Sequence, residues 1–187
     1  MKRIVIFASG GGSNTENLIK FFKNSDKATV VQVLTNNPQA KVLDRAKKLN
    51  VSSIAFNRVA FTKTDDVLNI VKAAKPDLIV LAGFLWKFPE NILNLFPNKV
   101  INVHPALLPK YGGKGMYGMH VHEAVVANKE TETGITIHYV NEHYDEGAII
   151  FQAKCTVTRT DDANNVAAKI HDLEMEHFPV IVNKLLS

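Results

Sequence analysis

Apolar residues recur along this chain with two different spacings. Short runs dense in valine, isoleucine and phenylalanine are separated by longer stretches in which apolar positions return every three or four residues. The short runs predict strands near Arg3–Ala8, Thr29–Thr35, Ser52–Phe56, Asp77–Ala82 and Lys99–Val103. The longer stretches predict helices near Asn14–Lys23, Gln39–Leu49 and Asp65–Ala74. Such alternation implies an α/β fold, an open and mostly parallel twisted sheet with helices on both faces. Two later runs, Gly134–Val140 and Ala148–Val157, are joined by the polar segment NEHYDEG and predict an antiparallel hairpin near the C-terminal part. A last helix is expected from about Asp161 to Leu186, with Val166, Ile170, Leu173, Phe178 and Ile181 on one face and Pro179 bending or breaking it.

No Pro/Gly/Ser-rich spacer, charge block or repeat interrupts the 187 residues, so a single domain, 1–187, is expected. The one cysteine, Cys155, sits in an apolar run and reads as a small buried hydrophobe, which fits a reducing, cytoplasmic setting. The apolar start MKRIVIF ends in a glycine loop after six residues, as a core strand does and a signal peptide does not. No apolar stretch approaches membrane-spanning length, so no membrane partner is expected. The net charge of +4 is spread out, and its densest group (Lys41, Arg45, Lys47, Lys48) decorates a helix surface rather than forming a nucleic-acid footprint. A mild positive bias suits a small anionic substrate.

Ligands of open α/β sheets bind beyond the carboxyl ends of the strands. Gly10–Asn14, Gly83–Lys87 and Asn102–His104 each follow such an end. Of the ten glycines, three occupy positions 10 to 12 and four lie between 112 and 118, so backbone freedom is concentrated in two loops. The first loop, Ser9-Gly10-Gly11-Gly12-Ser13-Asn14, leads into a helix in which Ser13 and Glu16 have capping-box spacing. The helix should start at Ser13 and turn free N–H groups toward a phosphate, where a branched residue at Gly12 would block the approach. The loop fits neither a Walker sequence nor G-x-G-x-x-G, because Thr15 stands at the third glycine. A tight turn without a ligand is the other reading.

Asn102 and His104 are two apart in an extended segment, so their side chains share a side, and Pro105 keeps His104 out of the helical region. An amide can donate to a carbonyl oxygen that is gaining charge, and an imidazole can move a proton near neutral pH. A structural histidine is the plainer alternative. An orienting carboxylate would come from NEHYDEG, where Asp145 is chosen over Glu142 and Glu146 because the turn after it can fold it back. His120 and His122 could be read as metal ligands, but no second cluster accompanies them, so no metal is expected. The glycine-rich segment Lys110–His122 reads instead as a hinged cover. Leu85, Trp86 and Phe88 suit either an aromatic pocket or plain core.

With SGGGSN, LAGF, INVHPALLPKY, GITIHYV and YDEGAIIFQ in this order, nearly the whole chain resembles the folate-dependent formyltransferases, and within them the phosphoribosylglycinamide formyltransferases. The resemblance implies a Rossmann-like formyltransferase fold and the third step of purine biosynthesis. In that step the formyl group of 10-formyltetrahydrofolate passes to the amino group of 5′-phosphoribosylglycinamide. It implies that Asn102 stabilises the formyl oxygen, that His104 donates to the oxyanion or shuttles a proton, and that Asp145 supports His104. It also implies ribonucleotide contacts from Gly11, Gly12, Ser13, Asn14 and Glu174, while the family's basic phosphate ligand, near Lys63 here, is displaced or replaced. Folate contacts are implied for Leu85, Trp86, Lys87, Phe88, Asn102, Asn141 and Asp145, in a monomer or homodimer. The chain departs from bacterial relatives by placing Trp86 and then Lys87 where a basic residue often follows LAGF-x. Formyltetrahydrofolate hydrolase and methionyl-tRNA formyltransferase share the chemistry but usually carry an extra leading or trailing domain, for which this chain has no room. A non-catalytic nucleotide-binding module would explain the glycine loop but not Asn102, His104 and Asp145 together.

Overall fold

A computed structural model describes residues 1–187. In chain order the elements are β1 (Lys2–Phe7), α1 (Ser13–Phe22), β2 (Ala28–Thr35), α2 (Lys41–Lys48), β3 (Ser52–Ala55), α3 (Arg58–Thr62), α4 (Asp66–Ala74), β4 (Leu78–Leu81), α5 (Glu90–Leu95), β5 (Val100–His104), α6 (Met119–Ala127), β6 (Glu132–Tyr139), β7 (Ile149–Thr156) and α7 (Ala163–Leu185). The seven strands form one sheet in the order β3-β2-β1-β4-β5-β6-β7. The pairs from β3 to β5 are parallel, and β5–β6 and β6–β7 are antiparallel. The chain winds outward from β1 to β3 and then returns to β4 on the other side of β1. The crevice beyond the carboxyl ends of β1 and β4 is therefore the topological switch point.

Both faces of the parallel part are buried, which explains the unbroken apolar runs. Ile4 and Ile6 of β1 point into a core shared with α1, α2 and α7, while Val5 and Phe7 point into one shared with α3, α4 and α5. The helices α3 and α5 span five and six residues, too short for a helical period to register in sequence. The stripe expected on the last helix is inside: Val166, Ile170, Phe178 and Ile181 are buried, with Leu173 packed against them.

Two local expectations are corrected. The first helix has no capping box: its N-cap is Gly12 in the left-handed region (φ 77°), and no side chain caps it. Glu16 instead pairs with Lys20 at 2.6 Å and with Arg45. Nor does Pro179 break α7, which runs from Ala163 to Leu185. Proline has no N–H to offer the carbonyl one turn back, that of Met175. Asn17 of α1 donates its side-chain amide to that oxygen at 2.9 Å. The carbonyl freed by the proline thus becomes a clamp between the first and last helices.

Asn17→Ala should lower stability by about 1–2 kcal/mol, because it strands a half-buried carbonyl. Pro179→Ala in the same chain should recover part of that loss by restoring a donor within the helix. Chemical denaturation of the four-member cycle checks this, and strictly additive losses would refute the clamp.

Candidate active site

The loops after β1 and β4 are tied together at the switch point. The N–H of Ser9 donates to the carbonyl of Gly83 at 3.0 Å, and the Ser9 hydroxyl accepts from the N–H of Leu85 at 3.0 Å. Between these loops, the end of β5 and one face of α7 lies a cavity of about 610 Å³. Gly10–Asn14 line one end of it, and Asn102, His104 and Asp145 also line it. A second cavity of about 60 Å³ is lined by Trp86, Lys87, Phe88, His138 and Asn141. Phe84, Asn102, Tyr144 and Asp145 belong to the walls of both.

The antiparallel register sets Asn102 opposite His138 and His104 opposite Thr136. His138 donates from Nδ1 to the carbonyl of Tyr139 at 2.8 Å, which leaves Nε2 to accept from the Asn102 amide at 3.1 Å. That contact orients the amide and leaves its second N–H free. His104 is buried, and its Nε2 donates to the carbonyl of Tyr111 at 2.7 Å. Its other nitrogen, Nδ1, lies 3.6 Å from Oδ2 of Asp145, while Oδ1 of Asp145 lies 3.6 Å from Nε2 of His138. Both separations exceed hydrogen-bond length, so the carboxylate acts on the two rings through its charge. Gly113 donates its N–H to Asp145 at 2.9 Å.

Tyr111 (φ 57°) and Asp145 (φ 56°) both occupy the left-handed region, which turns the Tyr111 carbonyl and the Asp145 carboxylate toward His104. The tight turn after Asp145 requires glycine, since a Cβ on Gly147 would lie 1.7 Å from the Tyr139 carbonyl oxygen. Beneath the site Thr136 pins the HPALLP turn, accepting from the Leu108 N–H at 3.0 Å and donating to the Ala106 carbonyl at 2.6 Å. Burial lowers the pKa of His104 below 6.5 despite the neighbouring Asp145 charge, so the ring rests neutral. Burial alone would raise Asp145, but His138, the charge of His104 and the Gly113 N–H outweigh it and hold the carboxyl below its usual range.

At the other end, Asn14 donates to Glu174 at 2.7 Å, joining the start of α1 to α7. Oδ1 of Asn14 and the hydroxyl of Thr15 are buried without a partner. Glu174 is pushed up to about 7 by burial, partly offset by the Asn14 hydrogen bond. Gly11, Gly12, Ser13, Asn14 and Glu174 thus share one cavity. Gly12 cannot serve as a probe of phosphate approach, since a Cβ there would lie 2.5 Å from Val42 in addition to the strained φ. Gly11, beside it, has open space around its Cα.

Lys63 terminates α3 and lines neither cavity, and the lysine on the larger cavity is Lys114. The residues expected to meet folate divide, with Leu85 on the larger cavity and Trp86, Lys87, Phe88 and Asn141 on the smaller. Phe88 is also core, packed edge-on against Phe7 at 5.0 Å. His120 and His122 diverge: His120 is exposed beside Glu123, and His122 is buried at the larger cavity.

Residues 2–182 match the formyl transferase family. The chain belongs to that family. A phosphoribosylglycinamide formyltransferase of Bacillus subtilis (strain 168) is 32% identical over 193 residues, covering 100% of this chain and 95% of that one. A chloroplastic phosphoribosylglycinamide formyltransferase of Vigna unguiculata is 33% identical over 98% of this chain, which spans 61% of that protein's length. Among solved structures, glycinamide ribonucleotide transformylase 1 from Geobacillus kaustophilus superposes with a TM-score of 0.90 at 30% identity, covering 100% of both chains.

For this formyl transferase, sequence reasoning assigned no role to His138, although it lies in the quoted GITIHYV motif. A histidine interrupting an apolar strand on the same parity as Thr136 was the available signal. Tyr111 contributes through its carbonyl, which no residue type announces. His122 and His171 reach the cavity from helices whose facing only packing decides.

Glu174 has a sharp pH signature. Its folded pKa exceeds its unfolded value, so no penalty exists below about pH 4.5; between pH 4.5 and 7 the unfolded chain gives up this proton while the folded one keeps it, and stability falls until the buried carboxyl ionises too. The gain in melting temperature from Glu174→Gln should therefore grow between pH 4.5 and 7 and then level, worth up to roughly 3 kcal/mol. Thermal melts of both proteins across that range test it, and a pH-independent difference would refute it.

Proposed function

We propose that this formyl transferase moves the formyl group of 10-formyltetrahydrofolate to the amino group of 5′-phosphoribosylglycinamide, yielding the N-formyl ribonucleotide and tetrahydrofolate in purine biosynthesis. The observation that carries this reading is the cavity of about 610 Å³ that runs from the uncapped start of α1 to Asn102, His104 and Asp145. Group transfer to an anionic substrate needs an anion site and proton-moving groups in one space, whereas a binding module needs no such groups.

The amine substrate occupies the larger cavity, its phosphate on the uncapped start of α1 beside Gly11, Gly12, Ser13 and Asn14, and its ribose hydroxyls toward Glu174. The folate lies along Leu85, Trp86, Lys87, Phe88 and Asn141, with its formyl carbon at Asn102. The free N–H of Asn102 meets the formyl oxygen as the amine attacks and charge develops there. Nδ1 of His104, neutral at rest, takes the proton that the attacking nitrogen sheds. The resulting imidazolium lies between the Tyr111 carbonyl and the Asp145 carboxylate, which stabilise it. As the bond from the formyl carbon to the folate nitrogen breaks, that nitrogen receives the proton back, so no net charge is left in the site.

His104→Ala and Asp145→Asn should fold and lose roughly 10²–10⁴-fold in kcat. A spectroscopic assay of folate release with both substrates checks this, and near-normal turnover would refute either role. Folate consumption that ignores the ribonucleotide would instead indicate a hydrolase. Gly11→Val should raise the KM for ribonucleotide with little change in melting temperature, and an unchanged KM would contradict the phosphate placement. At saturating ribonucleotide, kcat should hold at pH 6.5 and fall only at lower pH, as His104 and then Asp145 take up protons.

A further inference from the structure

His122 stands out among the polar groups that the proposed chemistry leaves unused. The buried residues of α6 are Val121, His122 and Val125, and His122 is the polar member of that inward stripe. It is 6% exposed, and its Nδ1 is sealed from water with no hydrogen-bond partner. Leaving such a group unpaired costs about 1–3 kcal/mol, so its presence among core valines calls for an account. The residue lines the larger cavity and lies close enough to His104 for that ring to disfavour a charge on His122.

The tautomer follows from these facts. A proton on Nδ1 would be a buried donor without an acceptor, a heavier cost than a lone pair left unused. The proton therefore sits on Nε2, and burial together with His104 keeps the ring neutral. Nε2 is the ring nitrogen that is not sealed from water, and His122 lines the same cavity as His104.

We propose that His122 is a positioning residue that donates a hydrogen bond from Nε2 to the amide carbonyl oxygen beside the nucleophilic amine of the ribonucleotide. The Nε2–H gains a fixed acceptor when substrate is present, with Nδ1 left as an unused lone pair, and it aims the amine at the carbon that Asn102 and His104 address. The proposal rests on the ribonucleotide reading above, and its tests include one that needs no turnover.

His122→Phe keeps the ring and removes both nitrogens. It should raise the KM for ribonucleotide about tenfold, the effect of losing one hydrogen bond, while the folate KM stays within twofold. His122→Gln, which retains an N–H donor, should recover part of the loss. A ribonucleotide KM within twofold of wild type in His122→Phe would overturn the proposal. So would equal impairment of the Phe and Gln variants, which would make the residue's role one of packing. Nitrogen-15 NMR of ring-labelled wild-type protein provides a reading independent of variant folding. His122 should show the neutral Nε2–H tautomer, and its Nε2 resonance should move on adding ribonucleotide but not on adding inorganic phosphate. The opposite tautomer, or no movement with ribonucleotide, would overturn the assignment. A wild-type enzyme that binds no ribonucleotide at all would instead refute the proposed function.

Discussion

The carboxylate of Asp145 is the constraint on which the site depends. A half-buried negative charge must be compensated, and here the Gly113 N–H donates to it while the rings of His104 and His138, on two other segments, lie 3.6 Å away. Each segment is held in place by that need. The Gly113 contact fastens the glycine loop over the site, His138, held by its bond to the Tyr139 carbonyl, orients Asn102, and Nδ1 of His104 faces the carboxylate. Asp145 reaches this point only because its own backbone is left-handed and Gly147 lets the chain turn tightly against β6. The cost of that conformation is offset by the charge interactions it makes possible.

The antiparallel addition of β6 to an otherwise parallel sheet has a chemical consequence. It places residues directly across from Asn102 and His104, which a parallel neighbour joined by a helical crossover would offset. His138 and Thr136 fill those two positions, one orienting the amide and the other pinning the turn that follows His104. The switch point between β1 and β4 supplies the other half of the site, an uncapped helix start. Substrate binding and group transfer thus draw on two different properties of one sheet.

Clamps between α1 and α7 hold the two halves in register. Asn17 serves the carbonyl freed by Pro179, and one turn earlier Asn14 serves Glu174 inside the cavity. A residue that would disrupt an isolated helix here creates an attachment point. The same wall then presents Glu174 at a pKa near neutrality, close to exchanging its proton when a hydroxyl-bearing ligand arrives.

The amino-acid sequence alone determined the alternation of strands and helices, the convergence of three loops on one crevice, and Asn102 and His104 as a pair, because local periodicity and strand-end position carry that information. The turn after Asp145 also pointed to a carboxylate folded back toward His104, from which Asp145 lies 3.6 Å away. The uncapped start of α1 and the unbroken course of α7 were not legible, since each depends on what a distant segment supplies. Nor were His138, the Tyr111 carbonyl and the cavity-facing His122. Those are set by strand register, backbone rotation and helix facing, which take effect only when the whole sheet is assembled and each buried polar atom must find its partner in space.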